Sequence, residues 1–567
     1  MHGFSRVNVA IRAISDTLCC TSLAIPTGRL INKKQGLFVL NQEISMANEN
    51  VTRPDGARTR VTRSCLVWGI ASLCSVFVAA CGSDDVTAPT VAKTNASRCA
   101  TLNGQTIGGI QITATKRTEA NGDVPAYCKV SATSVHGTTL DIEVDLPDNY
   151  ANRLFHQGGG GFDGSIPTVE SVNQTYPLTK PLQRGMAFTG SNGGNRDGNP
   201  ADFISNATQR QDYSYAASGT TVHFAKAVVT AFYGQAPKYT YFQGASNGGR
   251  NAYLVAQDWP GEYDGIIAGA ETMNMATQTM AWLNMASRIG TPAMPSSAQW
   301  TAAYQAALQQ CGNANGVILN PDACTYDPAP LQCGTAGAPV ATCLTPAQLQ
   351  TVRQQIGVLN TGGGTLLYSG YYWADFGSPL GVGAYGTLGG GFAGIATGDG
   401  NWLLPAPTAG SLQATFNVDN AYPIITAGLQ TAGADHSLQA IAQYLVAGKK
   451  LISFHGGADP LLSARDHLRN WLTMTQLAGS AANNARFYRE PGVGHVQGGN
   501  GPDQFDYIGP MIAWVEQGVA PGQLTLTKLD ANGDVTATLP DCPYPTVPHY
   551  DGSGNINQAA SYSCASS

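Results

Sequence analysis

The sequence predicts an α/β fold in which a parallel sheet is interrupted by a large inserted domain. Strand-like and helix-like segments alternate within residues 98–271, and the same rhythm returns within 441–567. Alternating strands and helices form parallel sheets, because each crossover helix carries the chain back to the same edge. Between these regions, residues 272–440 are rich in Gly, Cys pairs and aromatic side chains and lack the rhythm. We therefore expect one α/β domain formed by 98–271 and 441–567, with a lid domain at 272–440.

The alternation can be followed element by element. Apolar and polar residues alternate in the first strand, and strand-like and helix-like runs then succeed one another. The predicted elements are a strand at 139–147, a strand at 153–157, a helix at 213–233, a strand at 239–243, a helix from near Gly249 to Pro260 and a strand at 263–270. Beyond the insertion, the segments KKLISFHGGADP and ARFYREPGVGH complete the predicted sheet.

Composition and charge exclude two classes of protein. Hydrophobic residues make up 43% of the chain and charged residues 12%, which favours a large packed core over disorder. The 31 basic and 37 acidic side chains form no long run of either sign. We therefore expect no nucleic-acid partner, because such partners require a concentrated basic surface.

The N-terminal region resembles an export signal. Residues 65–80 form an apolar stretch that follows four arginines and ends in small residues before Cys81. This length and these flanks are typical of a signal peptide and are marginal for a membrane-spanning helix. The order Val-Ala-Ala-Cys is typical of a bacterial lipoprotein box, so a lipidated Cys81 is expected to be the first mature residue. Cleavage without lipid is the alternative.

The start of the mature chain follows from this signal. Met46 is a better start than Met1, because the basic region then follows it directly. Residues 1–45 are accordingly predicted to be an over-long gene start, 46–80 the signal peptide and 81–97 a polar tether. The chain is expected to be exported, either anchored to the bacterial cell envelope or secreted.

The cysteines agree with export. The chain beyond Cys81 keeps an even number of them, which suits disulfides in an oxidising compartment. None has the CxxC spacing of a zinc or redox site. The eight residues are Cys99, Cys128, Cys311, Cys324, Cys333, Cys343, Cys542 and Cys564.

A candidate nucleophile lies in the sequence GASNG at 244–248, the only GxSxG in the chain. The motif falls between a predicted strand and a predicted helix, which is the setting of a nucleophile elbow. Its glycines allow a turn too tight for larger side chains, and Ser246 is exposed at the helix N-terminus. There the backbone N–H of Asn247 can donate to a developing oxyanion.

A serine nucleophile needs a histidine base and an acid that orients it. Downstream of the motif, His495 has the best context, because it follows the strand-like RFYRE and a glycine turn. Asp459 follows the strand LISFH and precedes His495 by 36 residues, an ordinary strand-to-loop distance. The remaining downstream histidines are His436, His455, His467 and His549.

Two neighbours of these residues receive less prominent interpretations. His467 and Asp466 lie in the helical segment SARDHLRNW, where a surface or packing role is favoured for the histidine and a solvated charge for the acid. His455 lies beside Asp459 and is expected to support its loop.

A second oxyanion donor is expected from the glycine run in HQGGGGFDG at 156–164. Successive glycines leave backbone N–H groups unshielded, and we select Gly160, with Gly159 or Gly161 in contention. Together with Ser246, Asp459 and His495, this loop predicts an α/β-hydrolase fold with a large inserted lid domain.

These segments resemble the tannase and feruloyl esterase family. FYGQAPKYTYFQGASNGGRNA is similar to its nucleophile elbow, KKLISFHGGADP to its acid loop and REPGVGHVQGGNGPDQFD to its histidine loop. The C-terminal DCPYPTVPHYDGSGNINQAASYSC resembles its closing segment. The resemblance implies four disulfides, Cys99–Cys128, Cys311–Cys324, Cys333–Cys343 and Cys542–Cys564, and hydrolysis of aromatic-acid esters such as feruloyl or galloyl esters.

The chain departs from the family pattern in two places. Many members have a Cys before the nucleophile and another after the histidine, whereas this chain has Ala245 and Val496. Loss of that disulfide predicts a more mobile His495 loop. The family's calcium loop is replaced by CGNANGVILNPDAC, in which Asn313, Asn315 and Asp322 offer little anionic charge. We therefore expect no metal and no other cofactor.

The substrate interpretation depends on the predicted lid. Residues 354–448 contain no Arg or Lys, which disfavours substrates with a free carboxylate. Lid aromatics are hypothesised to stack on a neutral phenolic ring, although they are also typical of a lid core. They are Tyr371, Tyr372, Trp373, Phe376 and Trp402. The alternatives are an esterase for aliphatic or polyester oligomers and an inactive, surface-anchored binding protein.

Overall fold

A computed structural model describes residues 94–134, 139–400 and 416–566, all within the compact unit that spans Ala88–Ser567. The predictions for residues 1–93, including the signal peptide and Cys81, lie outside the described residues, as does Trp402. None of the helices in the described ranges has the length and hydrophobicity needed to cross a lipid bilayer.

A twisted sheet of ten strands forms the centre of the fold, in the order β1-β2-β3-β4-β6-β5-β7-β8-β11-β12. Its strands are β1 (Thr106–Ile107), β2 (Ile110–Thr118), β3 (Tyr127–Ser134), β4 (Asp141–Pro147), β5 (Arg153–Gln157), β6 (Met186–Ser191), β7 (Tyr239–Ala245), β8 (Gly265–Gly269), β11 (Lys450–Gly456) and β12 (Ala485–Glu490). Three two-stranded ladders accompany it: β9 (Leu359–Asn360) with β10 (Leu366–Tyr368), β13 (Leu524–Leu529) with β14 (Val535–Asp541), and β15 (Thr546–Tyr550) with β16 (Tyr562–Ser566).

The sheet is mixed, so the prediction of a parallel sheet is correct for only part of it. The strands β5, β6, β7, β8, β11 and β12 run parallel to one another. The ladders that join β1 to β2, β2 to β3, β3 to β4 and β4 to β6 are antiparallel. The first four strands follow one another through short connections, without a helix between them. A short connection makes the next strand antiparallel, whereas a crossover helix would make it parallel.

Helices cover both faces of the sheet. Successive strand residues face opposite ways, so Phe242 packs with α5, α6, α12 and α13 while its neighbour Tyr241 packs with α14. The α-helices are α1 (Asn95–Leu102), α2 (Val169–Thr175), α3 (Pro200–Ile204), α4 (Ala207–Gln211), α5 (Ala217–Tyr233), α6 (Asn247–Asp258), α7 (Met275–Ala286), α8 (Ser297–Cys311), α9 (Pro346–Ile356), α10 (Tyr385–Thr397), α11 (Val418–Ala432), α12 (Leu438–Val446), α13 (Ala464–Ala478) and α14 (Ile508–Gln517).

The chain between β8 and β11 forms a separate layer. These two strands are direct neighbours, with Ile267 opposite Ile452, although the inserted segment separates them in sequence. Helices α7 to α11 lie in this segment, and Trp282, Trp300 and Tyr385 belong to its apolar core, which also takes in side chains of the α/β domain such as Phe162 and Leu461. The insertion therefore leaves the sheet and returns beside the point of departure. Its boundaries at 272 and 440 stay a prediction.

The four disulfides implied by the family resemblance are present: Cys99–Cys128, Cys311–Cys324, Cys333–Cys343 and Cys542–Cys564. Such bonds form and persist in oxidising compartments and are rare in the cytosol. The folded chain is therefore that of an exported protein.

Candidate active site

Ser246 lies in a sharp turn between β7 and α6. Its backbone has φ +60° and ψ −127°, a conformation that costs free energy for a residue with a side chain. The neighbouring glycines make the turn possible: a Cβ on Gly244 would overlap the carbonyl of Gly248, and one on Gly248 would lie 2.6 Å from the Gly159 oxygen. The sequence thus forces Ser246 out of the strand and towards solvent.

The structure brings the three predicted site residues together. His495 Nε2 lies 2.9 Å from Ser246 Oγ, and His495 Nδ1 lies 2.8 Å from Asp459 Oδ2. The residues follow β7, β12 and β11, three strands of the parallel part of the sheet, whose carboxyl ends meet at one edge. This continuous hydrogen-bonded path allows a proton to pass from the hydroxyl to the imidazole.

Asp459 is held as a carboxylate. Its side chain is fully buried, which opposes ionisation, but the charge of His495 and hydrogen bonds from His455 and His495 outweigh burial and keep its pKa below the usual range. Its second oxygen, Oδ1, accepts the backbone N–H groups of Leu461 at 2.7 Å and Leu462 at 3.0 Å. The carboxylate is therefore both charged and fixed in orientation.

Asp466, the competing acid, is buried, so its interpretation as a solvated charge is wrong. It accepts the backbone N–H of Ser369 at 3.0 Å and pairs with Arg469 at 2.9 Å. The first turn of α13 lies beneath the inserted segment, which excludes water from a position that the sequence alone presents as an exposed helix face. His467 is also buried, in agreement with a packing role.

The glycine run forms a loop beside Ser246. Gly158 donates to the Gln243 carbonyl at 2.8 Å, which joins the loop to β7. The Cβ position of Gly160 is open, whereas a Cβ on Gly159 would contact the Asp163 carboxylate at 2.9 Å. Asn247 is the first residue of α6, so its backbone N–H has no intrahelical acceptor. The roles of Gly160 and Asn247 as oxyanion donors stay a prediction.

The Asn247 side chain forms a contact that the sequence reasoning did not anticipate. It donates to Asp163 Oδ1 at 2.5 Å, and its own oxygen accepts from Arg250 Nε at 2.8 Å and Tyr213 at 3.1 Å. Burial raises the pKa of Asp163 to about 7, against the lowering effect of Arg250 and Asn247. Asp163 closes the glycine segment and Arg250 ends the elbow segment, so this network ties the two loops together.

Arg250 is fully buried and anchors this network. Its two remaining nitrogens donate to the backbone carbonyls of Ser214 and Tyr213, both at 2.7 Å. Those carbonyls belong to a π-helical turn, Asp212–Ala216, that precedes α5 within the segment predicted to be one continuous helix. A buried guanidinium requires this complete set of acceptors.

An open cavity of about 830 Å³ leads to Ser246 and His495. Its wall combines the glycine loop and α2 with the segment around α10, and it contains no Asp, Glu, Lys or Arg. The aromatic residues of the wall are Phe162 and Tyr176. The stacking role hypothesised for Tyr371, Tyr372, Trp373 and Phe376 is wrong, because these side chains are only 1% to 6% exposed and do not line the cavity.

The chain is similar to known proteins over most of its length. A family model described as "Tannase and feruloyl esterase" matches residues 126–378 and 429–565. The chain belongs to this family. It is 32% identical over 508 residues to an uncharacterized esterase of Xanthomonas campestris, covering 78% of this chain and 85% of that protein. It is 29% identical over 518 residues to the mono(2-hydroxyethyl) terephthalate hydrolase of Piscinibacter sakaiensis, with the same coverage.

Solved structures in the tannase and feruloyl esterase family share the fold. Feruloyl esterase B from Aspergillus oryzae superposes with a TM-score of 0.69 at 23% identity, covering 83% of this chain and all of that chain. Tannin acyl hydrolase from Aspergillus niger gives 0.66 at 21% identity, covering 84% and 95%. The predicted α/β-hydrolase fold is thereby confirmed, and family membership identifies the chain as a carboxylic ester hydrolase.

The histidine loop of this tannase-family member is held without the cysteine pair. Val496 adopts φ +65°, an unusual conformation for a β-branched residue, and Gln497 N donates to the His495 carbonyl at 2.7 Å in a tight turn. The Gln497 side chain donates to the carbonyl of Thr175 at the end of α2. Val496 also packs against the core on the α14 face of the sheet. Greater mobility of this loop stays a prediction.

The polar side chains of the segment that replaces the family's calcium loop have partners both within the segment and elsewhere in the protein. The Asp322 carboxylate contacts both Arg489 and the Tyr372 hydroxyl, and the Asn313 oxygen accepts the backbone N–H groups of Asn315 and Val317. Among the described residues, no group of three or more acidic, His or Cys side chains is arranged so that it could hold a metal ion. The absence of a metal in the working protein stays a prediction.

Proposed function

We propose that this chain is a serine esterase that hydrolyses neutral esters of aromatic, phenolic carboxylic acids, such as feruloyl or galloyl esters. The single observation that carries the proposal is the hydrogen-bonded set Ser246, His495 and Asp459 at the floor of an uncharged cavity of about 830 Å³. The printed names of the relatives, which include feruloyl esterase B of Aspergillus niger at 27% identity, support the aromatic acyl group.

In the proposed mechanism, Ser246 attacks the ester carbonyl while His495 removes its proton. The resulting tetrahedral oxyanion accepts hydrogen bonds from the backbone N–H groups of Gly160 and Asn247. His495 then protonates the leaving alcohol, and an acyl-enzyme remains on Ser246. Water repeats the sequence to release the acid. Asp459 keeps the proton of the neutral imidazole on Nδ1 and stabilises the imidazolium when it forms.

The inserted segment is proposed to act as the lid over this site. Leu380, Ala384 and Leu388 of that segment line the cavity opposite the glycine loop. These side chains are apolar, so they favour a flat, neutral acyl group over a charged one. A carboxylate buried there without a cation would lose its hydration with no compensating ion pair.

The substrate class is tested by matched esters. Methyl ferulate and methyl gallate are expected to have a kcat/KM at least about tenfold above that of a short-chain aliphatic ester, because the aryl group fills more of the apolar wall. The kcat/KM for dimethyl terephthalate is expected to exceed that for the monomethyl terephthalate anion by about 100-fold, because only the anion loses the hydration of a charged group. Steady-state kinetics on purified protein measures both ratios.

A variant pair separates charge from shape. Leu388→Arg adds a cation to the cavity wall and is expected to lower the ratio of kcat/KM for the diester to kcat/KM for the monoester. Leu388→Gln adds a polar group without charge and should leave this ratio unchanged. A preference of the unaltered protein for the aliphatic ester would overturn the aromatic assignment. No hydrolysis of any ester would favour the inactive binding protein instead.

Attachment to the cell envelope through a lipidated Cys81 is the proposed localisation. The Val-Ala-Ala-Cys order after an apolar stretch supports it. Expression with a labelled fatty acid tests this localisation. The label should be found on the unaltered protein and be absent from Cys81→Ser. Unlabelled protein in the medium would contradict the proposal.

A further inference from the structure

A chain of buried side chains extends from Asp459 into the core, away from the cavity. His455 Nε2 lies 3.1 Å from Asp459 Oδ2, and His455 Nδ1 lies 2.9 Å from His467 Nδ1. The other nitrogen of His467 lies 2.6 Å from the Tyr253 hydroxyl, which in turn lies 2.7 Å from Ser453 Oγ. All four side chains beyond Asp459 are fully buried. The mechanism above uses none of them.

The surroundings fix the direction of the hydrogen bond between His455 and Asp459. His455 Nε2 faces two acceptors, Asp459 Oδ2 and the Leu462 carbonyl at 3.2 Å, so it must carry a hydrogen. On the other side of the ring, His455 Nδ1 forms a hydrogen bond with His467 Nδ1, and His467 Nε2 forms one with the Tyr253 hydroxyl. Burial holds the pKa of His467 well below its usual value, so that ring is neutral and donates from only one of its two nitrogens. The chain thus holds the His455 ring from the side away from Asp459.

We infer that His455 is a positioning residue for the proposed esterase chemistry, on which this inference rests. Its Nε2–H donates to the same oxygen that accepts from His495 Nδ1, while Leu461 and Leu462 hold the other oxygen. The carboxylate is thereby fixed by four donors, one of which is set by the chain through His467 and Tyr253. His455 orients Asp459 and compensates part of its charge, and through Asp459 it helps to hold the His495 ring in place.

Other ionisable groups adjoin the chain without bonding to it. Asp466 bonds to Ser369 and Arg469, and the guanidinium of Arg489, opposite His455 in the sheet, bonds to Asp322 and Tyr372. The charge of Glu271 acts on Tyr253 without a hydrogen bond between them. The His436 ring packs edge-on against Tyr253, and its Nε2 bonds to the Arg250 carbonyl. The donor on Asp459 Oδ2 therefore comes from His455 and His495 alone among the described residues.

The experiment compares His455→Leu, which removes the donor, with His455→Gln, whose amide can place an N–H near the position of Nε2. Without the donor, the charge of Asp459 is less compensated and attracts a positive charge on the His495 ring more strongly. For His455→Leu we expect a fall in kcat/KM of roughly 100-fold, and an acid limb of the pH–rate profile that moves up by about one pH unit. His455→Gln should stay within about tenfold of wild type with little displacement.

Two further variants keep the test decisive. Tyr253→Phe removes the hydroxyl that bonds to His467 at a distance from the cavity, and it should move the acid limb in the same direction by a smaller amount. His436→Leu removes a neighbouring buried histidine that lies outside the chain, and it should lower the melting temperature without moving the limb. If His455→Leu does not fold, Tyr253→Phe and His455→Gln supply the comparison.

The outcomes separate this inference from the proposed function. If wild type hydrolyses esters and Ser246→Ala does not, but the profiles of His455→Leu and Tyr253→Phe superimpose on that of wild type, the positioning role of His455 is wrong and the esterase assignment stands. A fall in kcat without a pH displacement, unrescued by Gln, also contradicts it. If wild type hydrolyses no ester, the proposed function itself fails.

Discussion

Replacement of His495 by alanine is expected to lower kcat for the preferred ester by about 10⁶-fold, close to the effect of removing the whole catalytic set. The hydroxyl of Ser246 is a weak nucleophile unless a base takes its proton, and His495 Nε2, at 2.9 Å, is the base within reach. The backbone donors of Gly160 and Asn247 would remain and would supply the residual rate. Burst and steady-state kinetics on methyl ferulate measure the loss.

His549→Ala provides the matched control. His549 is an exposed residue of β15 and one of the downstream histidines considered from the sequence, but it is outside the site. Its replacement should leave kcat within a factor of about two. A His495→Ala protein that keeps more than about 1% of wild-type kcat would contradict the role assigned to His495.

Asp459→Asn is expected to lower kcat by about 10⁴-fold while the fold persists. Two backbone N–H groups, of Leu461 and Leu462, point at one side of residue 459, so the amide oxygen of asparagine would remain there. Its NH₂ would then face His495 Nδ1, which must become an acceptor. The imidazole proton would move to Nε2 and point at Ser246 Oγ, so the ring could no longer accept the serine proton.

Asp466→Asn separates this tautomer effect from the loss of any buried charge. Asp466 is equally buried and lies only seven residues along the chain, but it bonds to Ser369 and Arg469 and not to the site. We expect a lower free energy of unfolding with kcat reduced by less than about tenfold. A larger loss of kcat in Asp466→Asn than in Asp459→Asn would contradict the account, because it would mean that Asp466 and not Asp459 orients His495.

The site could be predicted from sequence because each reactive side chain belongs to a local pattern. Ser246, Asp459 and His495 each follow a strand-like run through a glycine-containing turn, and parallel strands place such turns at one sheet edge. Local order and the fold rule together bring the residues near one another. Nothing beyond chain position and element type is needed for that inference.

The features that the sequence did not predict depend on contacts between segments that are distant along the chain. The helix SARDHLRNW has a polar character that is typical of a surface, but Asp466 is buried where Ser369 of the inserted segment packs against it. The contact of Asn247 with Asp163 joins residues 84 positions apart, and no local pattern indicates it. The first strands run antiparallel because short connections, which carry weak sequence signals, reverse the chain.

The substrate wall illustrates the same limit. Aromatic side chains in the inserted segment are equally compatible with a stacking platform and with a core, and burial decides for the core in Tyr371 and Phe376. The aromatic residues that do reach the cavity, Phe162 and Tyr176, come from the glycine loop and the end of α2. The cavity is thus formed partly by the α/β domain itself.

The most direct test of the central claim, that the Ser246 hydroxyl is activated by His495 and Asp459, is labelling by a fluorophosphonate followed by mass spectrometry of the labelled peptide. The account predicts a single adduct on Ser246 in wild type, no adduct in Ser246→Ala and greatly slowed labelling in His495→Ala. An adduct on another serine, or ester hydrolysis that persists in Ser246→Ala, would contradict it.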